Sequence, residues 1–199
     1  MVGIIDYGVG NLFSLRSSFA AIGVEAFVSG DARELKKADR LILPGVGAFG
    51  DAAEKLRASG LDAFVREQAA AGKPLMGICL GMQLLFERSY EYGDHEGLGL
   101  LKGQVVGMSG RLPEGLKIPH MGWNALKLTK SAKLLEEGSY VYFVHSFYAE
   151  NCEDSLAAVT DYGIPITAAV EKDNIFGCQF HPEKSGNVGL AILKKFCEV

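Results

Sequence analysis

Residues 75–86 read Leu75-Met76-Gly77-Ile78-Cys79-Leu80-Gly81-Met82-Gln83-Leu84-Leu85-Phe86. Leu75 to Ile78 is a short apolar run of strand type, and Leu80 to Arg88 carries a helical pattern. Between them Gly77-Ile78-Cys79-Leu80-Gly81 has the Gly-x-nucleophile-x-Gly form of a nucleophile elbow, with cysteine in the place of serine. A tight strand-to-helix turn presses backbone on backbone at both flanks, and glycine removes the Cβ that would collide there. Such a turn presents Cys79 above a sheet, at a helix N-terminus whose dipole and free N–H groups favour a thiolate. The N–H of Leu80 is then free to point at an oxyanion. An isolated cysteine is usually a small buried hydrophobe, and it is the flanking pattern that sets this one apart.

Outward from the elbow, the N-terminal half alternates short strands with helices. Val2-Gly3-Ile4-Ile5 is a first strand, followed by a turn-rich segment from Asp6 to Asn11. Leu12, Leu15, Phe19 and Ile22 recur at helical spacing, with Asn11 as the expected N-cap. Val24 to Val28 reads as a second strand, and Leu41-Ile42-Leu43 as a third, stopped by Pro44. A helical region runs from Asp51 to Ala70 and breaks near Gly60. Strands apolar on both faces indicate a mostly parallel sheet covered on two sides. On the C-terminal side the strand candidates are Val105-Val106, Trp123 to Leu128, Tyr140 to Tyr148, Leu156 to Asp161, Ile164 to Val170 and Ile175 to Phe180. Asp161-Tyr162-Gly163-Ile164 offers a hairpin, and Val188 to Phe196 a closing helix. The expected architecture is one α/β domain over residues 1–199. It is a three-layer sandwich whose central, mostly parallel sheet is extended by antiparallel or mixed strands.

Composition narrows the function classes. A hydrophobic fraction of 48% with 22% charged residues excludes full-length disorder. The formal charge of −4, with no basic stripe, argues against nucleic acid as the main partner. The longest nearly apolar stretch, Pro74 to Phe86, contains Gln83 and falls short of the ~20 residues a membrane span needs. No basic region precedes the first apolar run, so no secretory signal is expected. The four cysteines form no CxxC pair, consistent with reduced thiols in the cytoplasm. The histidines lack HxH or HExxH spacing, so no metal site is expected. Pro44 to Gly50 lacks the Lys-[Ser/Thr] pair of a phosphate loop, and neither it nor Asp6 to Asn11 is a dinucleotide fingerprint. No cofactor is therefore expected.

A thiolate nucleophile needs a base within reach, and the base needs an orienter. His181 lies in Gln179-Phe180-His181-Pro182-Glu183, directly after the last strand and at the sheet edge where the elbow should sit. Glu183, two residues on, suits a carboxylate that fixes the imidazole tautomer. The segment Pro44-Gly45-Val46-Gly47-Ala48-Phe49-Gly50, between a strand and a helix, offers an anion nest or the second half of an oxyanion hole. His145 is open between a substrate pocket and a satisfied core histidine. His120 is expected at a loop or rim, and His95 facing solvent. Trp123, the one tryptophan, is open between core packing and an interface.

These residues carry a resemblance. The stretches IIDYGVGNL at 4–12, LPGVGAFG at 43–50, GICLGMQLLF at 77–86, IPHMGWN at 118–124, YFVHSFYA at 142–149 and GCQFHPEKSG at 177–186 resemble the class I (triad) glutamine amidotransferases. Within that family they are most similar to the branch serving imidazole glycerol phosphate synthase in histidine biosynthesis. The resemblance implies that Cys79 attacks the side-chain amide of L-glutamine, that His181 relays the proton to the leaving ammonia and that Glu183 orients His181. It implies oxyanion donors at Leu80 and in the Gly45-Val46-Gly47 backbone, at Val46, after a change of loop conformation. Gly47, Gln83, His145 and Ser146 would line the glutamine pocket. The implied partner is a (β/α)8-barrel cyclase subunit in a heterodimer, with Met121, Trp123 and Asn124 at the interface and Lys184 paired to a barrel carboxylate. Phe147 stands where some relatives carry tyrosine, which removes a hydroxyl and leaves the backbone there to hold substrate.

Overall fold

The computed structural model describes residues 1–199. In chain order the first half runs β1 (Val2–Ile5), α1 (Leu12–Ala21), β2 (Ala26–Ser29), α2 (Ala32–Leu35), β3 (Arg40–Leu43), α3 (Phe49–Ala58), α4 (Leu61–Ala70), β4 (Leu75–Ile78) and α5 (Leu80–Leu84). The second half is strand-rich: β5 (Phe86–Ser89), β6 (His95–Glu96), β7 (Leu101–Gly107), β8 (His120–Ala125), β9 (Lys127–Leu128), β10 (Tyr140–His145), β11 (Phe147–Glu150), β12 (Leu156–Asp161), β13 (Pro165–Lys172) and β14 (Ile175–Cys178). A single 3-10 turn, Pro182–Lys184, precedes α6 (Gly186–Phe196).

The main sheet has eight strands in the order β2-β1-β3-β4-β14-β13-β12-β9. From β2 to β14 the neighbours are parallel, and from β14 to β9 they are antiparallel. Alternate residues of the parallel strands enter opposite apolar layers, as the period of a strand demands. Leu41, Leu43 and Leu75 pack with Phe49, Leu56, Phe64 and Val65 of α3 and α4. Val2, Ile4, Ile42 and Met76 pack with Leu15 and Phe19 of α1 and Leu193 and Phe196 of α6. Each such side chain, fully buried, contributes roughly 1.5–3 kcal/mol. These two layers with the sheet between them make the expected sandwich. No helix is long and apolar enough to cross a membrane.

The structure departs from expectation in the middle of the chain. The helix after Cys79 stops at Leu84, and Phe86 already begins β5. The incoming segment 97–101 captures the carbonyls that would continue the helix: Leu98 N–H donates to Leu84, Leu100 and Leu101 to Leu85, and Gly97 to Glu87. Tyr140 to Tyr148 is two strands, not one. β10 pairs with β8, whereas β11 joins a separate four-stranded sheet, β11-β7-β5-β6. Only part of the second half therefore continues the main sheet. Val24 is not in a strand; its N–H closes the end of α1 on Phe19 O. Asn11 holds the N-cap position of α1, but its side chain makes no capping bond.

Candidate active site

The elbow is a backbone problem solved by three glycines. Cys79 has φ 54° and ψ −113°, a strained region for a residue with a side chain. A Cβ on Gly77 would stand 2.6 Å from Gly81 O, one on Gly81 would fall onto Leu43 O, and one on Gly45 would stand 2.7 Å from Gly81 N. Gly45 is therefore the third member of the stack. The turn is held by Cys79 N–H donating to Cys178 O (2.7 Å) and Gln83 N–H donating to Cys79 O (3.2 Å). Tyr7 ties the neighbouring loop down, donating from its hydroxyl to Pro44 O at 2.7 Å. Burial and, after it, the charge of Cys79 raise the Tyr7 phenol, so it stays a donor.

His181 emerges three residues past β14, the neighbour of β4, which places it beside the elbow. Its N–H donates to Tyr142 O (2.9 Å). Ser185 Oγ donates to His181 O (2.6 Å) and accepts from Tyr142 N–H (3.0 Å), pinning the 3-10 turn to β10. Pro182 opens that turn with its fixed φ, and Glu183 Oε1 lies 2.8 Å from His181 Nδ1. Both side chains are buried, at 4% and 1% exposure. Burial opposes charge on the imidazole. Hydrogen bonds to Cys79 and Glu183, and the charges on both, outweigh it and raise His181 to about 9. The second carboxylate oxygen of Glu183 has no partner.

The elbow opens into a cavity of about 350 Å3 lined by Val46, Gly47, Cys79, Leu80, Gln83, His145, Ser146, His181 and Lys184, together with Glu91, Tyr92, Pro119, Val144 and Phe147. Of the residues expected at the reacting centre and pocket, two are outside the wall: Gly45, packed beneath the elbow, and Glu183, behind His181. Val46, 41% exposed, stands at the mouth, next to Gly47 with φ 89°. Lys184 reaches over the Tyr142 ring at the rim (6.0 Å). Met121 and Trp123 lie on β8, 59% and 52% exposed, and Trp123 meets the Tyr142 ring edge-on. Trp123 is thus not a core residue. Asn124 is half-buried and committed inward, to His120 and Asp161 O.

Two histidines differ from expectation. His120 is fully buried, stacked between Phe143 and Tyr162, because its strand β8 lies against β10 rather than in a loop. Its Nδ1 is 3.1 Å from His145 Nε2. His145 donates from Nδ1 to Phe147 O at 2.8 Å, and burial, assisted by the neighbouring histidines, depresses it to about 3. His145 is both pocket wall and satisfied buried histidine. His95 does not face solvent fully; it is half-buried against Gly50 and Phe49. The Phe147 carbonyl is already occupied, accepting from Gln83 as well as His145.

Sequence reasoning missed Glu91 and Gln179. Glu91 Oε2 accepts from Phe49 N–H (2.6 Å) and so caps α3, where Ala48 has no capping side chain; burial raises its carboxyl. Gln179 sits beside the sulfur, its Nε2 donating to Cys79 Sγ at 3.7 Å. Neither stands in a spacing that marks a role, although Gln179 lies two residues before His181. No group of three or more acidic, histidine or cysteine side chains is arranged to hold a metal.

A buried thiol on a strained elbow, facing an imidazole backed by a carboxylate, can open an amide or ester through a covalent intermediate. Known proteins narrow the class. The family model for class-I glutamine amidotransferases matches residues 3–199. The imidazole glycerol phosphate synthase subunit HisH of Caldanaerobacter subterraneus subsp. tengcongensis is 53% identical, over 100% of this chain and 98% of that protein. The protein of the same name from Bacillus subtilis is 50% identical, over 100% of this chain and 96% of that one. Among solved structures, a glutamine amidotransferase superposes with TM-score 0.78 at 20% identity, covering 99% of this chain and 97% of that one. PurLQS from Thermotoga maritima gives 0.75 at 21% identity, with the same coverage, and these two likenesses speak for the fold alone. With the elbow in place and the match running the length of the chain, this protein belongs to the class-I glutamine amidotransferase family.

Proposed function

We propose that this chain is the glutaminase subunit of an imidazole glycerol phosphate synthase, acting in histidine biosynthesis. The observation that carries the reading is Cys79 at the elbow, in contact with a His181 held by Glu183, in a chain about half identical over its whole length to proteins of that name. Glutamine enters the cavity with its side-chain amide over Cys79. The thiolate attacks the amide carbon, forming a C–S bond and an oxyanion. Leu80 N–H and a backbone N–H of the Gly45-Val46-Gly47 segment, at Val46, stabilise that charge. The His181 imidazolium gives its proton to the departing nitrogen, the C–N bond breaks, and ammonia leaves behind a γ-glutamyl thioester. Neutral His181 then takes a proton from water, which attacks the thioester; glutamate departs and the thiolate–imidazolium pair is restored.

Gln83 fits the substrate pocket in one polarity only. Both hydrogens of its amide nitrogen are committed, to Phe147 O and to Gln179, so Oε1 is the end left for a ligand. Gly47, His145 and Ser146 complete the pocket. The exposed apolar pair Met121 and Trp123, with Asn124 behind them and Lys184 at the rim, receives a (β/α)8-barrel cyclase subunit, into which the ammonia passes. A non-glycine oxyanion donor at an exposed mouth gives that partner a handle, since losing one such donor typically costs about 3 kcal/mol in the barrier. The free thiols suit action in the cytoplasm. Labelled glutamine mixed with the protein, a cyclase subunit and its nucleotide, then quenched in acid, should leave a thioester on the Cys79 peptide. Label absent from Cys79, or equal in Cys79→Ala, would overturn the reading.

A further inference from the structure

The catalytic pair accounts for His181 and Glu183 but leaves a second polar contact to the sulfur unexplained. Gln179 is fully buried in the segment between β14 and His181, its own N–H tied to Ala168 O at 2.9 Å. A glutamine in such a place must satisfy both ends of its amide or lose stability. Its partners are Gln83 on one side and Cys79 on the other.

We propose that Gln179 is a positioning residue for Cys79, donating a hydrogen bond to the sulfur in an orientation dictated by Gln83 and the Phe147 carbonyl. The polarity is fixed by donors and acceptors. A peptide carbonyl only accepts, so the end of Gln83 that faces Phe147 O at 3.0 Å is its NH2. The same NH2 faces Gln179 at 2.9 Å, so the end of Gln179 turned toward it is the oxygen. That leaves the Gln179 NH2 no choice but to face Sγ at 3.7 Å, within reach for a bond to sulfur. One backbone carbonyl thus sets two amides in series, and the series ends on the nucleophile. A thiolate accepts such a bond more strongly than a thiol, so the relay favours the ionised form. It also holds the sulfur between a neutral donor and His181, without adding a second cation.

The inference rests on Cys79 being the nucleophile, and the test reads the sulfur itself. The titratable groups that bear on Cys79 are His181, backed by Glu183, with Tyr7 and Cys178, and the substitutions leave all of them in place. Full-length protein is alkylated with iodoacetamide across the neutral and alkaline range, and the rate is followed on the Cys79 peptide by mass spectrometry. Gln179→Met keeps length without a donor. It should raise the midpoint of Cys79 reactivity by about one pH unit, leaving about tenfold less thiolate below the midpoint. Gln83→Met, which frees Gln179 to turn its amide over, should move the midpoint the same way by less. An unchanged midpoint in folded Gln179→Met overturns the proposal. If that variant loses its cooperative melt, an unchanged midpoint in Gln83→Met does so. A shifted midpoint in a protein that hydrolyses no glutamine even with the cyclase subunit and its nucleotide present would instead retire the proposed function and keep this contact.

Discussion

The proposed chemistry rests on Cys79 and His181, two buried groups in contact, with the imidazole raised, against its burial, by hydrogen bonds to Cys79 and Glu183. A Glu183→Gln variant keeps the shape and removes the charge that helps raise His181 to about 9. It should lower the glutaminase kcat by about 10³–10⁴-fold, as loss of the orienting carboxylate does in comparable triads, with the fold retained. In the proposed mechanism the His181 imidazolium protonates the leaving nitrogen; it is lost as pH rises through about 9, so kcat should fall on the alkaline side. Glu183→Gln should move that fall to lower pH. His145 gives the opposite sign. Its folded value near 3 lies below the ordinary value of 6.5, so the unfolded chain binds its proton first. Stability from this residue is complete above about 6.5 and declines as pH falls from there toward 3. Urea midpoints measured from neutral pH down to the top of the carboxylate range should drop, and His145→Gln should drop less steeply.

At the level of elements, the elbow was legible in the sequence because two of its glycines flank the cysteine at fixed offsets. The third, Gly45, was read as an oxyanion residue, because close packing against Gly81 across 36 residues leaves no mark in spacing. The β-α alternation around β1, β3 and β4 was legible for the same kind of reason: strands buried on both faces read as unbroken apolar runs. The end of α5 was not, since it is set by carbonyls that a distant segment claims, and Leu85-Phe86 continues a helical pattern perfectly well. Nor was the fate of His120, whose burial comes from strand pairing between β8 and β10. Gly81→Ala tests the elbow as a packed unit. With a backbone oxygen of β3 in the way, it should destabilise the chain by at least about 3 kcal/mol in urea unfolding. An unchanged midpoint would mean that the three glycines are not the close-packed stack described.

Over the whole molecule, the parallel half of the sheet brings the ends of β3, β4 and β14 to one edge, and the segments leaving those three strands assemble the site: the Pro44–Gly47 loop, the elbow and the His181 turn. β10, with Val144 and His145, closes the site from the side, and its partner β8 carries Met121 and Trp123 outward. Trp123→Ala should leave stability within about 0.5 kcal/mol, as for other exposed positions. It should weaken association with a cyclase barrel by about 2 kcal/mol or more, read by calorimetric titration. In the proposed function Cys79, His181 and Glu183 work beside a mouth whose Gly45-Val46-Gly47 segment would answer to a partner. The most direct test of that function is glutamine hydrolysis by the purified chain, first alone, then with the cyclase subunit and its nucleotide substrate. Slow turnover alone and a large rise with both additions is the predicted result. Fast turnover alone, indifferent to the barrel and the nucleotide, would contradict it.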